Sequence, residues 1–216
     1  SFNPHLESSL VAVNFSELLE YVRSKFNLNV AYTRLSRDVK GKQILGYFDR
    51  EKMEIGIDSQ LKDTERFPFI LSHELGHFVL HSDLKINQNR YDSFRDSEYN
   101  FMLGKRELKN PRQWIEWQAN QFSASIILPR KSILYRLIEY QENHGIRNKG
   151  KMHYDHQPIN VADFHETINY LARYFGVAKT SVIYRLKVLD VLKYGSDGPV
   201  HWTNYFKEWA ETYVGR

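Results

Sequence analysis

At 216 residues and 42% hydrophobic content, the chain is long enough to bury one core, or one core with a small appendage. A net charge of +4 is too mild to single out nucleic acid as a partner, and the absence of cysteine excludes disulfides, thiolate zinc sites and cysteine nucleophiles together. No apolar run approaches the ~18 residues of a membrane span, and Ser1 to Leu10 has neither the basic start nor the apolar middle of a secretory signal, so a cytoplasmic protein with no membrane partner is expected.

Asn14 followed by Glu17 reads as a capping box, and Phe15, Leu18, Leu19, Val22 and Phe26 recur at helical spacing, which predicts a helix from Phe15 to Phe26. Three short β-type runs follow, Val30 to Arg34, Ile44 to Phe48 and Glu54 to Asp58, the last two separated by the polar turn Asp49-Arg50-Glu51-Lys52. They predict a small, mostly antiparallel three-stranded sheet. Pro68 suits the first turn of a helix that the apolar residues from Phe69 to Leu80 carry to about His81. The polar stretch from Ser82 to Asn110 reads as a long surface excursion. Gln113 to Leu128 is helical by pattern, Pro129 ends it, and Lys131 to Gln141 supplies the next helix. A second polar stretch, Glu142 to Pro158, marks the expected domain edge. Past it, Ala162 to Phe175 and Thr180 to Leu189 read as helices joined at Gly176, with a last helix from Trp202 to Val214. The fold class is thus α+β, with a core over 1–141, a connector over 142–160 and a helical region over 161–216.

His73-Glu74-Leu75-Gly76-His77 carries the chemistry. Residues four apart on a helix differ by about 40° in direction and lie roughly 6 Å apart along the axis, so His73 and His77 can share one metal ion. Glu74 is offset by about 100° from His73, outside the ligand set but close enough to act as a general base on a bound water. With 9 histidines in the chain, such a pattern arises by chance roughly 0.03 times, so it is only moderate evidence alone. Its place on a helix with an apolar face strengthens it. With no cysteine available, a third ligand has to be His, Asp or Glu. Glu116 is the strongest candidate, because it sits among Trp114, Ile115, Trp117 and Phe122, where an unpaired carboxylate is costly; a surface carboxylate is the alternative. His81, one turn past His77 on nearly the same face, could touch substrate, support a metal ligand from behind or steady the reaction intermediate, but a cap on the last helix carbonyls is the favoured role.

Phe69-Ile70-Leu71-Ser72-His73-Glu74-Leu75-Gly76-His77-Phe78-Val79-Leu80-His81, followed by Glu116-Trp117-Gln118-Ala119-Asn120-Gln121-Phe122-Ser123-Ala124 and Leu128-Pro129, resembles the ImmA/IrrE family of metallopeptidases. The likeness covers roughly Val30 to Ile138, and the two motifs in that order are far more specific than either alone. It implies a thermolysin-like Zn2+ site with His73, His77 and Glu116 as ligands and Glu74 as general base. Asn120 would steady a ligand through a hydrogen bond, with helix packing as the alternative. Gln118 stands where relatives carry a second acidic residue. The activity implied is a zinc endopeptidase acting on a protein substrate, such as a helix-turn-helix repressor or related regulator.

Leu171 to Leu186 has the cadence of a helix-turn-helix with Lys179, Thr180, Ser181 and Arg185 as its polar face. Packing or protein contact is the favoured role there and DNA contact the lesser one. A regulatory DNA- or protein-binding module with a structural or vestigial metal site is therefore the alternative function. His144, His153, His156 and His165 are too irregularly spaced for a second metal site, although one of them, or Tyr154, could serve as an electrophile.

Overall fold

A computed structural model describes residues 12–37, 41, 43–82, 111–155 and 157–195, apart from the side chain at position 112. The expectations for 83–110, for His156 and for Trp202 to Val214 lie outside these residues. The chain divides into two units, Val13–Ile127 and a second that begins at Leu128.

The first unit opens with helix α1, Phe15–Phe26. Asn14 caps it: its Oδ1 accepts from the backbone N–H groups of Ser16 and Glu17 at 3.1 and 3.4 Å. Glu17 completes the box differently from the expected pattern, accepting from the Asn14 side-chain amide at 2.8 Å. Asn27 ends the helix in the left-handed region at φ 51°, and the chain passes into strand β1, Asn29–Thr33.

Strands β2, Gly46–Asp49, and β3, Glu54–Asp58, form a hairpin, and the sheet order is β1-β3-β2. The sheet is therefore mixed rather than mostly antiparallel: β2 and β3 pair antiparallel, β1 and β3 parallel. Successive strands do reverse direction, but β3 inserts between β1 and β2 and so meets β1 in parallel. Asp58 secures the return segment that allows this. Its buried carboxylate accepts from the Leu35 backbone N–H at 3.0 Å, from Gln43 Nε2 at 2.9 Å and from the Gln60 backbone N–H at 2.9 Å. On the β2–β3 pair, Tyr47 lies across Gly56, where any Cβ would sit 2.1 Å from its ring, and donates its hydroxyl to Glu54 at 2.8 Å.

Helix α2, Phe67–His81, is apolar on nearly every side and is buried from Pro68 through His77, as its all-round hydrophobicity requires. Ile70, Leu71 and Leu75 join Val22, Leu28, Val30, Ile55, Ile57 and Leu61 in one core cluster. Helix α3, Pro111–Ile127, packs on α2 and begins two residues before the expected start. The contact between them is a close one. A Cβ on Gly76 would lie 3.2 Å from Ala119 Cα and 3.3 Å from its carbonyl oxygen, and Ser123 Oγ donates to Phe69 O at 2.9 Å nearby.

Gly76→Ala tests this approach. Helix propensity favours alanine by ~1 kcal/mol, whereas overpacking against a backbone that cannot swing aside costs ~1–3 kcal/mol. The variant is expected to be destabilised by up to about 2 kcal/mol in denaturant titration. A stabilised variant would mean that the two helices have room to part.

In the second unit, helices α4, Arg130–Asn143, α5, Pro158–Phe175, and α6, Lys179–Val188, accompany a two-stranded parallel sheet of β4, Met152–Tyr154, and β5, Leu192–Tyr194. The polar stretch 142–158 lies inside this unit and contributes β4. Buried Gln141 ties it to α4, donating to Lys151 O at 2.8 Å and accepting from the Gly150 N–H at 2.7 Å. Gly176, at φ 62°, ends α5, with its own N–H bonded to Arg173 O and that of Val177 to Ala172 O, the paired bonds of a Schellman turn. Thr180, Ser181 and Arg185 on α6 are buried, and Arg185 Nε donates to Leu128 O at 2.9 Å. Three of the four residues expected to form an outward polar face thus pack within the unit. No described helix is long and apolar enough to cross a membrane.

Candidate metal centre

α2 places His73 and His77 one turn apart, both with almost no exposure, and α3 brings Glu116 to them. The two Nε2 atoms lie 2.9 Å apart; Glu116 Oε2 is 3.3 Å from His73 Nε2, and Oε1 is 3.6 Å from His77 Nε2. Among the described residues, these three form the one group of potential ligands whose donor atoms converge, all within 4.8 Å of one another.

Hydrogen bonds on the far sides of the rings decide what these nitrogens carry. Asn120 Oδ1 lies 2.9 Å from His73 Nδ1 and, as an amide oxygen, only accepts, so the neutral ring holds its proton on Nδ1 and presents an Nε2 lone pair. His77 is held by a longer chain. Gln118 Oε1, 3.0 Å from His81 Nε2, takes that proton, so His81 Nδ1 accepts from His77 Nδ1 at 3.1 Å and His77 Nε2 is left as a lone pair. Burial lowers the pKa of His81, against the opposing pull of the Gln118 hydrogen bond, which favours the neutral ring this chain requires.

With both rings neutral and their protons on Nδ1, two nitrogen lone pairs and a carboxylate face one another. Glu116 Oε1 is enclosed and accepts no hydrogen bond. Burial by itself pushes this carboxyl up, but the hydrogen bonds and charges of His73 and His77, when those rings are protonated, outweigh burial and hold it well below the usual carboxylate range. A cation satisfies all three groups at once. Bonds of about 2.0–2.2 Å to a tetrahedral zinc separate donor atoms by about 3.3–3.5 Å, and the observed 2.9, 3.3 and 3.6 Å bracket that spacing. The donor set fits such an ion.

Glu74 stands apart from the converging group. Its carboxylate lies against β2, where a Cβ on Gly46 would come within 2.9 Å of Oε1. His81 is buried on the Nδ1 side of His77 with both ring nitrogens engaged, a placement its helical spacing alone did not specify. The other histidines among the described residues lie in the second unit: His144 stacks on Tyr140 at 3.9 Å and bonds Tyr140 O, His153 is on β4, and His165 packs beside Tyr154 and Phe164. Sequence reasoning missed Gln118 as a partner of the site. The signal was present in its spacing of two from Glu116 and from Asn120, but which side chain it meets depends on helix packing.

A family model described as IrrE N-terminal-like domain, Peptidase_M78, matches residues 25–187. The chain belongs to that family. Membership extends past the stretch over which the motifs alone showed likeness and covers α1's end through α6. It supports a metallopeptidase-type function, and the His73, His77 and Glu116 group can hold the metal such a function needs. No curated protein matches the chain.

Proposed function

We propose that the protein is a zinc-dependent endopeptidase that hydrolyses a peptide bond in a protein substrate. The observation that carries this reading is the convergence of two buried imidazoles and a half-buried carboxylate, with Glu74 on the same helix as the two imidazoles. His73, His77 and Glu116 would hold the ion. Bound zinc supplies Lewis acidity and brings the pKa of a coordinated water towards about 7.

The protein's own residues perform the remaining work. Glu74 takes the proton from the attacking water on its carboxylate, stores it through formation of the tetrahedral species, and delivers it to the leaving amine nitrogen. Asn120 keeps His73 in the tautomer that leaves Nε2 to a metal. Among the described residues β2 lies at the sheet edge, with Gly46 beside Glu74, so an extended substrate can add along β2 through backbone hydrogen bonds and bring its carbonyl to the base.

Gly46→Ala probes that arrangement. The added Cβ meets the end of the flexible Glu74 side chain at 2.9 Å and Ile70 Cγ2 at 3.1 Å, so the fold is expected to survive with a small shift of Ile70 while the Glu74 carboxylate is displaced. A 1 Å misplacement can cost ~10²-fold, so turnover should fall by roughly 10- to 100-fold with zinc content unchanged. Wild-type turnover in this variant would place the working carboxylate elsewhere.

The substrate we propose is a helix-turn-helix repressor or related regulator in the cytoplasm, the class suggested by the ImmA/IrrE resemblance. The test is to purify the chain without chelator, measure its metal, and incubate it with purified helix-turn-helix repressors. Near-stoichiometric zinc and chelator-sensitive cleavage are expected. A metal-free chain that neither binds added zinc nor cuts any such regulator would overturn the proposal. The buried Arg185 on α6 gives no support to DNA binding by that helix.

A further inference from the structure

His77 differs from His73 in how its tautomer is set. His73 meets an amide oxygen directly, whereas His77 meets another imidazole, His81, which could donate or accept through the same nitrogen. An imidazole cannot fix its neighbour's proton unless its own is fixed. Gln118, projecting from α3 two residues after Glu116, supplies that constraint through a 3.0 Å hydrogen bond to His81 Nε2.

We propose that Gln118 is a positioning residue for the metal centre: acting through His81, it sets the tautomer in which His77 presents an unprotonated Nε2 beside His73 and Glu116. The direction of the chain follows from its end. An amide oxygen accepts, so His81 carries its proton on Nε2; His81 Nδ1 then accepts, so His77 carries its proton on Nδ1. Without an acceptor at position 118, His81 can instead hold its proton on Nδ1 and donate to His77 Nδ1. His77 would then carry its proton on Nε2, where it blocks a ligand bond. α3 thus contributes to the centre twice, once by Glu116 and once through Gln118, on the two sides of His77.

This inference rests on the metal-centre reading for its consequence but not for its tautomers, and the experiment separates the two. Wild type, Gln118→Leu and Gln118→Glu would be labelled at the histidine nitrogens and their metal-free 15N shifts recorded. Zn2+ affinity would be measured in parallel by competition with a chromogenic chelator. The wild type is expected to show His77 protonated on Nδ1. Gln118→Leu should move population towards the Nε2 proton and weaken zinc binding by about 10- to 100-fold. Gln118→Glu keeps an acceptor oxygen at that position and should retain both the tautomer and most of the affinity. Unchanged His77 shifts in Gln118→Leu overturn the proposal, whether or not affinity falls, because a loss without a tautomer change is a packing effect. Should the wild type bind no zinc, the metal-centre reading fails, and the shifts alone still decide whether Gln118 sets His77.

Discussion

Glu74→Gln is expected to lower peptide-bond hydrolysis by about 10²- to 10⁴-fold while leaving bound zinc unchanged. The amide keeps the volume of the carboxylate, and the position is 3% exposed, so shape in the α2–β2 contact is preserved. What it removes is the ability to accept a proton from water and return it to the leaving nitrogen. Because Glu74 lies outside the converging His73, His77 and Glu116 group, metal affinity should not follow activity. That dissociation separates an enzyme from a protein whose zinc is structural. Metal content, circular dichroism and turnover measured on one preparation decide it. If the variant cleaves at the wild-type rate, Glu74 is not the base; if it loses zinc together with activity, it belongs to the ligand set. Gly46→Ala is the milder counterpart, since it shifts the same carboxylate without neutralising it.

Much of this site was legible because helical spacing is local. His73 and His77 share a face whatever the rest of the chain does, and the apolar residues around them already imply a buried helix. Glu116 was legible as a carboxylate among aromatics, although its approach to His73 and His77 needed the motif pair as a guide. What stayed hidden was non-local. Insertion of β3 between β1 and β2 leaves no mark in the alternation of any single strand, and it turned an expected antiparallel neighbour into a parallel one. β4 and β5 are three residues each, too short for a period-two signal, and β4 is held beside α4 by Gln141 within a stretch that reads as connector. The same limit applies to side-chain roles. Spacing put His81 on the ligand face, but its partners are set by Gln118 on another helix. Arg185 looked like an outward cation until the Leu128 carbonyl gave its Nε an inward partner.

Glu116→Gln should reverse the order of stability depending on metal. In the metal-free wild type with both rings neutral, the carboxylate faces two nitrogen lone pairs, and its enclosed Oε1 accepts no hydrogen bond. A buried polar group left unsatisfied costs ~1–3 kcal/mol. Glutamine relieves this, because its Nε2–H can donate into the lone pairs of His73 or His77, so the metal-free variant is expected to be the more stable protein by about 1–3 kcal/mol. Zinc inverts the comparison. Saturation at ~100 times the dissociation constant stabilises the native state by ~2.7 kcal/mol, and each tenfold loss of affinity removes ~1.4 kcal/mol of that at the same free zinc. Losing the charged ligand should therefore leave the variant nearly indifferent to zinc. Urea titrations of both proteins at fixed free zinc and with excess chelator check this, the expected result being curves that exchange order. A metal-free variant weaker than metal-free wild type would show that the carboxylate is already satisfied without an ion, and the lone-pair assignment of His73 and His77 would then fall with it.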